Sequence, residues 1–185
     1  MEQNNFDKVF YIDSDVMLFS DVNKEWSKFD QFEMTLLHRT AAISSFITYK
    51  AINNFCNFLT NIFDDKNSYA FKKIESHFKI RQQHGLAGGV CDMTFLDYFH
   101  YDHLIGGGPG RIGEMMIIIN DSTYDHNINA EDQDYLFENG IKKIEIFNKT
   151  PFIFNKKLNK YIKFNSIHFQ GNAKNLIKSI YEQCN

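Results

Sequence analysis

Two carboxylates, Asp13 and Asp15, stand two positions apart at the end of the apolar run Val9-Phe10-Tyr11-Ile12, and a second run, Val16-Met17-Leu18-Phe19, follows them. On an extended backbone, residues i and i+2 face the same way, so this spacing predicts two acids converging on one point. Carboxylate oxygens are hard ligands, and such a pair suits Mn²⁺ or Mg²⁺ holding a phosphate. The plain alternative is an acidic pair that caps a turn; the uninterrupted apolar sequence on both sides favours the metal reading. Near the other end, His168, Gly171 and Lys174 follow one another at i, i+3 and i+6. A lone histidine is more often a structural hydrogen-bonding residue. Here its imidazole would complete a divalent metal's shell, Gly171 would bend the backbone, and Lys174 would neutralise phosphate charge. Asp92 follows the small residues Ala87-Gly88-Gly89 and stands where a helix begins. It reads equally as a helix N-cap and as a carboxylate held over a cleft, and the two roles are compatible.

The elements that must position these groups are partly visible. Val9 to Ile12 reads as a buried strand, because no polar residue interrupts it. In open α/β sheets ligands sit beyond the carboxyl ends of strands, which is where Asp13 falls. Ser20-Asp21-Val22 caps a short helix carrying Trp26, and Glu33 to His38 is a strand. Phe46, Tyr49, Ile52, Phe55, Leu59, Ile62 and Phe63 recur at spacings of three and four, predicting a helix from about Ser44 to Phe63 whose aromatic stripe is core packing. A second helical pattern runs from Tyr69 to Phe78, and a third begins at Asp92 with Phe95, Leu96 and Phe99 inward. Gly106 to Gly113 is glycine-rich but matches neither phosphate-loop pattern, and reads as a mobile loop or lid. Met115 to Ile119 reads as a strand. Asp125 and His126 could be ligands, but with Glu131-Asp132-Gln133-Asp134 they read as solvated turn and surface residues. Asn139-Gly140 signals a turn among three short strands, from Ile141 to Phe164. His168 ends a last strand, and Asn172 or Asn175 opens a final helix.

At 185 residues the chain suits one domain, 1–185, without an internal boundary. With 19 Phe and 9 Tyr, aromatic packing dominates the expected core. A net charge of −3 with mixed signs and no basic block argues against nucleic acid. No apolar run approaches a membrane span, and no signal-peptide pattern opens the chain. Cys56, Cys91 and Cys184 have no metal spacing and read as reduced thiols in a cytoplasmic protein.

Together these residues resemble nucleotide-sugar glycosyltransferases of the GT-A fold. Phe10-Tyr11-Ile12-Asp13-Ser14-Asp15-Val16 is similar to that family's Asp-x-Asp strand. Ala87 to Met93 is similar to its small-residue segment at the sugar and acceptor pocket. Ile167 to Lys174 is similar to the His-x-x-Gly-x-x-Lys element of the glycogenin and lipopolysaccharide-galactosyltransferase type. The resemblance implies an α/β fold with a GT-A-like, Rossmann-related mixed sheet flanked by helices, and a divalent cation, Mn²⁺ or Mg²⁺. It implies a UDP-sugar or similar donor and a saccharide or other hydroxyl acceptor. Asp13, Asp15 and His168 would hold the metal, with Asp13 also touching the sugar or ribose. Gly171 and Lys174 would hold the diphosphate, and Asp92 would hydrogen-bond the donor sugar or the acceptor. The family's nucleotide-binding half precedes the Asp-x-Asp strand and is lacking here, so the sheet is expected to be incomplete at the N-terminus, with an exposed edge. No Pro-Trp follows Lys174.

Two other readings compete. A haloacid-dehalogenase-type phosphatase also begins with an apolar strand ending in Asp-x-Asp; Asp13 would be the nucleophile and Asp15 the general acid, with Thr40 and Lys72 in support. It lacks a convincing later acidic pair. The chain could also be a non-catalytic carbohydrate- or partner-binding remnant.

Overall fold

A computed structural model describes residues 6–38, 43–86, 90–101 and 112–185. The chain is mixed α/β, and its strands form two main sheets instead of the single sheet expected. In the first, β1 (Lys8–Ile12) pairs antiparallel with β4 (Ser44–Thr48), β4 with β3 (Met34–Leu36), and β3 runs parallel to β5 (Ile112–Glu114). The second orders β2 (Val16–Leu18), β11 (Lys160–His168), β10 (Thr150–Asn155) and β9 (Ile144–Phe147), with β6 (Ser122–Tyr124) parallel to β11. A small hairpin, β7 (Phe137–Glu138) and β8 (Ile141–Lys142), turns on Asn139 and Gly140. Both turn residues take positive φ, 54° and 82°, the twist that a two-residue hairpin requires and that Asn-Gly tolerates best.

Helix starts follow side-chain capping. Asp21 accepts from Asn23 N–H at 3.0 Å and opens α1 (Val22–Glu25), after which Trp26–Phe29 tightens into a 3₁₀ turn. Thr48 Oγ1 accepts from Ala51 N–H at 3.1 Å and opens α2 (Tyr49–Asp64). Ser68 caps α3 (Tyr69–Gln83) in the same way. Then come α4 (Asp92–Tyr101), a 3₁₀ stretch Gly171–Leu176, and α5 (Ile177–Cys184).

Several expectations are corrected. Ser44 to Thr48 is strand, not helix: Phe46 and Ile47 pair with β1, and the helix cannot begin before its Thr48 cap. Helix α3 runs on to Gln83, past Phe78. Met115 to Ile119 is no strand but a turn ending in an isolated bridge, Ile119 to Ser122. Its apolar character serves burial, with Met115 and Met116 in the core. Gly113, expected in a loop, lies in β5 instead. Strand β1 is not fully buried. It stands at the edge of its sheet, with Tyr11 45% and Ile12 41% exposed. Thr40, Ala87-Gly88-Gly89 and Gly106 to Arg111 lie outside the described residues.

The two sheets share an aromatic core. Phe46 of β4 meets Phe10 at 4.7 Å, Trp26 at 4.8 Å and Phe29 at 5.1 Å between ring centroids, and Tyr124 of β6 closes the group. Each such buried ring contributes on the order of 1.5–3 kcal/mol. On one side Phe58 and Ile62 of α2 pack on Ile74 of α3 and Phe99 of α4. On the other, Ile153, Ile162, Phe164 and Ile167 pack on Ile180 of α5. Among the described residues no helix is long and apolar enough to cross a membrane.

Gly113 is needed for space. A Cβ there would stand 2.4 Å from the Phe32 ring. Gly113→Ala is therefore expected to destabilise the protein by about 1–3 kcal/mol through overpacking, read as a lower urea midpoint with an unchanged m-value.

Candidate functional site

The chain passes from the first sheet to the second across Asp13-Ser14-Asp15. Asp13 N–H donates to Ile43 C=O at 2.8 Å at the end of β1, and Val16 N–H closes a turn onto Asp13 C=O at 3.2 Å. Val16 then starts β2 opposite His168. The extended-strand argument for the two acids is thereby corrected: a turn at Ser14-Asp15 gives each carboxylate its own neighbours.

Asp15 meets the C-terminal group. The β2–β11 ladder continues one step further, with Phe169 N–H donating to Asp15 C=O at 2.9 Å, so Asp15 lies beside His168. Its Oδ1 is 3.2 Å from His168 Nε2 and its Oδ2 is 3.0 Å from Lys174 Nζ. Lys174 is carried by the 3₁₀ stretch that begins at Gly171, whose φ of 56° is the left-handed bend a glycine makes without strain. Burial opposes charge on Asp15, but the Lys174 hydrogen bond and the charges of His168 and Lys174 outweigh it and hold the carboxyl below its usual range.

Asp13 and Asp92 gather around a different side chain. Tyr11 OH lies 3.5 Å from Asp13 Oδ1. Burial first, then the charges of Asp13 and Asp92, push the Tyr11 phenol up, so both acids act on the same ring. Asp92 is the first residue of α4, inside the first turn and not the cap, where a carboxylate complements the helix dipole.

His168 is held in one orientation. Its Nδ1 is 2.6 Å from the His126 carbonyl, which can only accept, so Nδ1 carries the hydrogen and Nε2 faces Asp15. Two donors about 2.1 Å from one ion at a right angle stand about 3 Å apart, and the Nε2 to Oδ1 separation of 3.2 Å fits that edge. The chemistry of the pair, one imidazole and one carboxylate, suits Mn²⁺ or Mg²⁺. Among the described residues no three His, Cys, Asp or Glu side chains form a ready ligand set, since Asp13 turns to Tyr11.

Beneath His168 lies a network that the sequence reading placed in solvent. Asp125 is 1% exposed; its Oδ2 accepts from His168 N–H at 3.2 Å and its Oδ1 stands 2.6 Å from Lys142 Nζ. Burial pushes the Asp125 carboxyl up, against the pull of Lys142. Lys142, also 1% exposed, reaches Asn127 C=O at 3.0 Å and Asp132 Oδ1 at 2.8 Å as well. Asp132 Oδ2 is 3.2 Å from His126 Nδ1, and the His126 ring stacks on His38. Burial opposes charge on Asp132 too, but His126 and Lys142 hold it below its usual range. Asp132 therefore belongs to a turn tied to the core, although Glu131 and Asp134 are exposed as expected. One signal pointed to Lys142: it shares the parity of Ile144 and Ile146 along the β8–β9 stretch.

No family of known sequences, no curated protein and no solved structure matches this chain. The geometry alone carries the functional argument.

Two outcomes follow. A carboxyl with a depressed folded-state pKa adds stability above its unfolded value of 3.8 and loses it as pH falls through the folded value. Asp15→Asn should therefore lower the urea midpoint at pH 7 and at pH 5 alike, with the gap to wild type closing below about pH 4. Lys142→Met leaves Asp125 and Asp132 without their cation and should cost about 3–5 kcal/mol, measured by the same unfolding.

Proposed function

We propose that this protein is a metal-dependent glycosyltransferase that moves a sugar from a nucleotide-diphosphate donor, a UDP-sugar, to the hydroxyl of a saccharide or similar acceptor. One observation carries the reading: the Asp15 carboxylate sits between His168 Nε2 and Lys174 Nζ, joining residues from the two ends of the chain. A carboxylate, an imidazole and an ammonium at one point suit a divalent cation with a diphosphate beside it.

Asp15 and His168 would hold Mn²⁺ or Mg²⁺. When bound, the cation supplies Lewis-acid stabilisation of charge on the departing diphosphate. Lys174, half exposed on a long stem, releases Asp15 and binds a diphosphate oxygen, adding a positive charge where negative charge grows. Gly171 sets the bend that brings Lys174 to that side. The His126 carbonyl accepts from His168 Nδ1–H and so keeps the ring turned with Nε2 towards the cation. Asp92 and Asp13, whose charges both act on the Tyr11 phenol, accept hydrogen bonds from the hydroxyls of the donor sugar or the acceptor. The free cysteines suit a reducing cytoplasm.

The phosphatase alternative asks Asp15 to act as a general acid and Lys72 to support Asp13. Asp15 is instead engaged by His168 and Lys174, and Lys72 lines a groove between α3 and α4 whose walls include neither acid.

Calorimetric titration with UDP tests the proposal. Binding should require Mn²⁺ and should weaken by at least about tenfold in Asp15→Ala and in His168→Ala. UDP binding that ignores Mn²⁺, or is unchanged in Asp15→Ala, would sink it. Mg²⁺-dependent hydrolysis of p-nitrophenyl phosphate, abolished in Asp13→Asn, would put the phosphatase in its place.

A further inference from the structure

We infer that the outer face of the second sheet, across β9, β10 and β11, is a binding site for single-stranded nucleic acid. The inner face is closed: Ile153 and Ile162 are fully buried and share a core cluster with Ile180 of α5. Alternation along the strands then sends their neighbours outward.

The register places aromatic side chains together on that outer face. Glu145, Phe152 and Lys163 stand side by side across the three strands, and Phe154 stands beside Tyr161. Between ring centroids, Phe147 is 5.6 Å from Phe152 and 5.4 Å from Tyr161, and Phe154 is 5.2 Å from Tyr161. All three contacts are edge-on, at 61° to 79°, so the rings brace one another. Phe147 is 45% and Tyr161 41% exposed, and Phe152 and Phe154 are half-buried. A sheet with one face on the core normally carries polar residues on the other, so four rings there mark an interaction surface.

Charge selects the partner. Residues 149–163 hold five lysines and no acid. Lys160 is paired with Asp121, and Lys149 donates to the Asn185 carbonyl. Lys163 on the face, and Lys156 and Lys157 in the exposed loop between β10 and β11, have no carboxylate partner among the described residues. Of the nearby acids, Glu145 accepts from Tyr161 OH at 2.9 Å, and Asp134 meets Lys156 through its backbone carbonyl. Unpaired ammonium groups beside exposed rings complement a chain of phosphates that carries planar bases. A second copy of this face would set lysine against lysine. Saccharide hydroxyls call for acceptors, whereas these strands offer ammonium groups and rings, with Glu145 already engaged. A duplex hides the faces of its bases, so the rings select a single strand. The whole-chain charge of −3 masks the patch, because its lysines are spaced among aromatic residues and only the sheet gathers them. The inference does not rest on the glycosyltransferase reading: β11 carries Tyr161 and Lys163 near its start and His168 at its end.

Fluorescence anisotropy of the full chain with a labelled oligothymidylate of about twelve nucleotides tests this. Binding at low salt should saturate and be at least about tenfold tighter than for a duplex of the same length. The binding constant should fall with salt at a log–log slope of about −2, about −0.7 for each of three lysines. Phe147→Ala, a change at an exposed position, should weaken binding at least about fivefold with the melting temperature unchanged. Lys163→Gln should flatten the salt slope. Asp15→Ala should alter neither, so loss of UDP binding and loss of this site are separate results. No binding at low salt, equal binding of the duplex, or indifference to Phe147→Ala would overturn the inference. Heparin binding that is at least as tight and equally sensitive to Phe147→Ala would also overturn it and assign the face to an anionic saccharide.

Discussion

Three register pairs, Val16 with His168, Met17 with Ile167 and Leu18 with Ser166, join the beginning of the chain to its end. Phe19 N–H to Asn165 C=O and Phe169 N–H to Asp15 C=O extend the ladder in both directions. A three-residue strand has little stability of its own. Strand β2 borrows it from β11, whose nine residues also pair with β10 and β6, and whose Ile162 and Ile167 are fully buried. The candidate site inherits its geometry from that register. In that register Asp15 stands opposite Phe169 and next to His168 along the ladder, and a slip of one residue would turn the His168 side chain to the other face relative to β2 and break its contact with Asp15.

Two buried polar networks hold β11 from below. Lys142 gathers Asp125, Asp132 and the Asn127 carbonyl, and through Asp125 and His126 it fixes both the backbone and the ring of His168. Glu25 accepts from Lys28 at 2.6 Å and from Asn165 Nδ2 at 3.0 Å, and Tyr124 OH lies 3.4 Å away. Buried ion pairs contribute little net stability, because desolvation offsets most of the attraction. Their effect here is on arrangement. Each network has several partners fixed by distance and direction, so alternative packings of the 125–132 and 165–168 segments would leave charge uncompensated in the interior.

The residues that meet at the site were legible in sequence because their chemistry is local. Asp15, His168, Gly171 and Lys174 advertise themselves by type and spacing, and Gly171 does take the bend that its lack of a Cβ permits. Asn139-Gly140 was legible for the same reason. Other features depend on partners remote in sequence. Phe46 fits the three-and-four spacing of the helix that follows, yet pairing of Phe46 and Ile47 with β1 makes this segment strand. The division into two sheets turns on Ser14-Asp15, where one hydrogen bond, Val16 N–H to Asp13 C=O, ends a run that reads as continuous. Asp125 and Asp132 look solvated because Asn and Asp crowd their stretch. Lys142, ten or more positions on, with His126 at Asp132 and the His168 N–H at Asp125, makes their burial tolerable.

Charge balance ties these observations to the proposed function. Asp15 stands between Lys174 Nζ and His168 Nε2, while Asp13 and Asp92 act on the Tyr11 phenol, which lies before the Ser14-Asp15 turn in sequence. These three carboxylates outnumber the one ammonium, and carboxylates alone would repel the diphosphate of the proposed donor. In the proposed function, a divalent ion held by Asp15 and His168 would offset that charge and would take over the role that Lys174 performs at Asp15. Lys174 would then be free to meet a phosphate oxygen, so that under the proposed function neither charge would be left alone. The exchange needs a lysine on a mobile exposed stem and a histidine that cannot turn. Lys174 is 56% exposed at its side chain, whereas His168 is 7% exposed at its own and is bonded through its Nδ1. The mobile partner and the fixed partner are thus distributed as the proposed chemistry requires, and the buried lysine beneath keeps the fixed one in place.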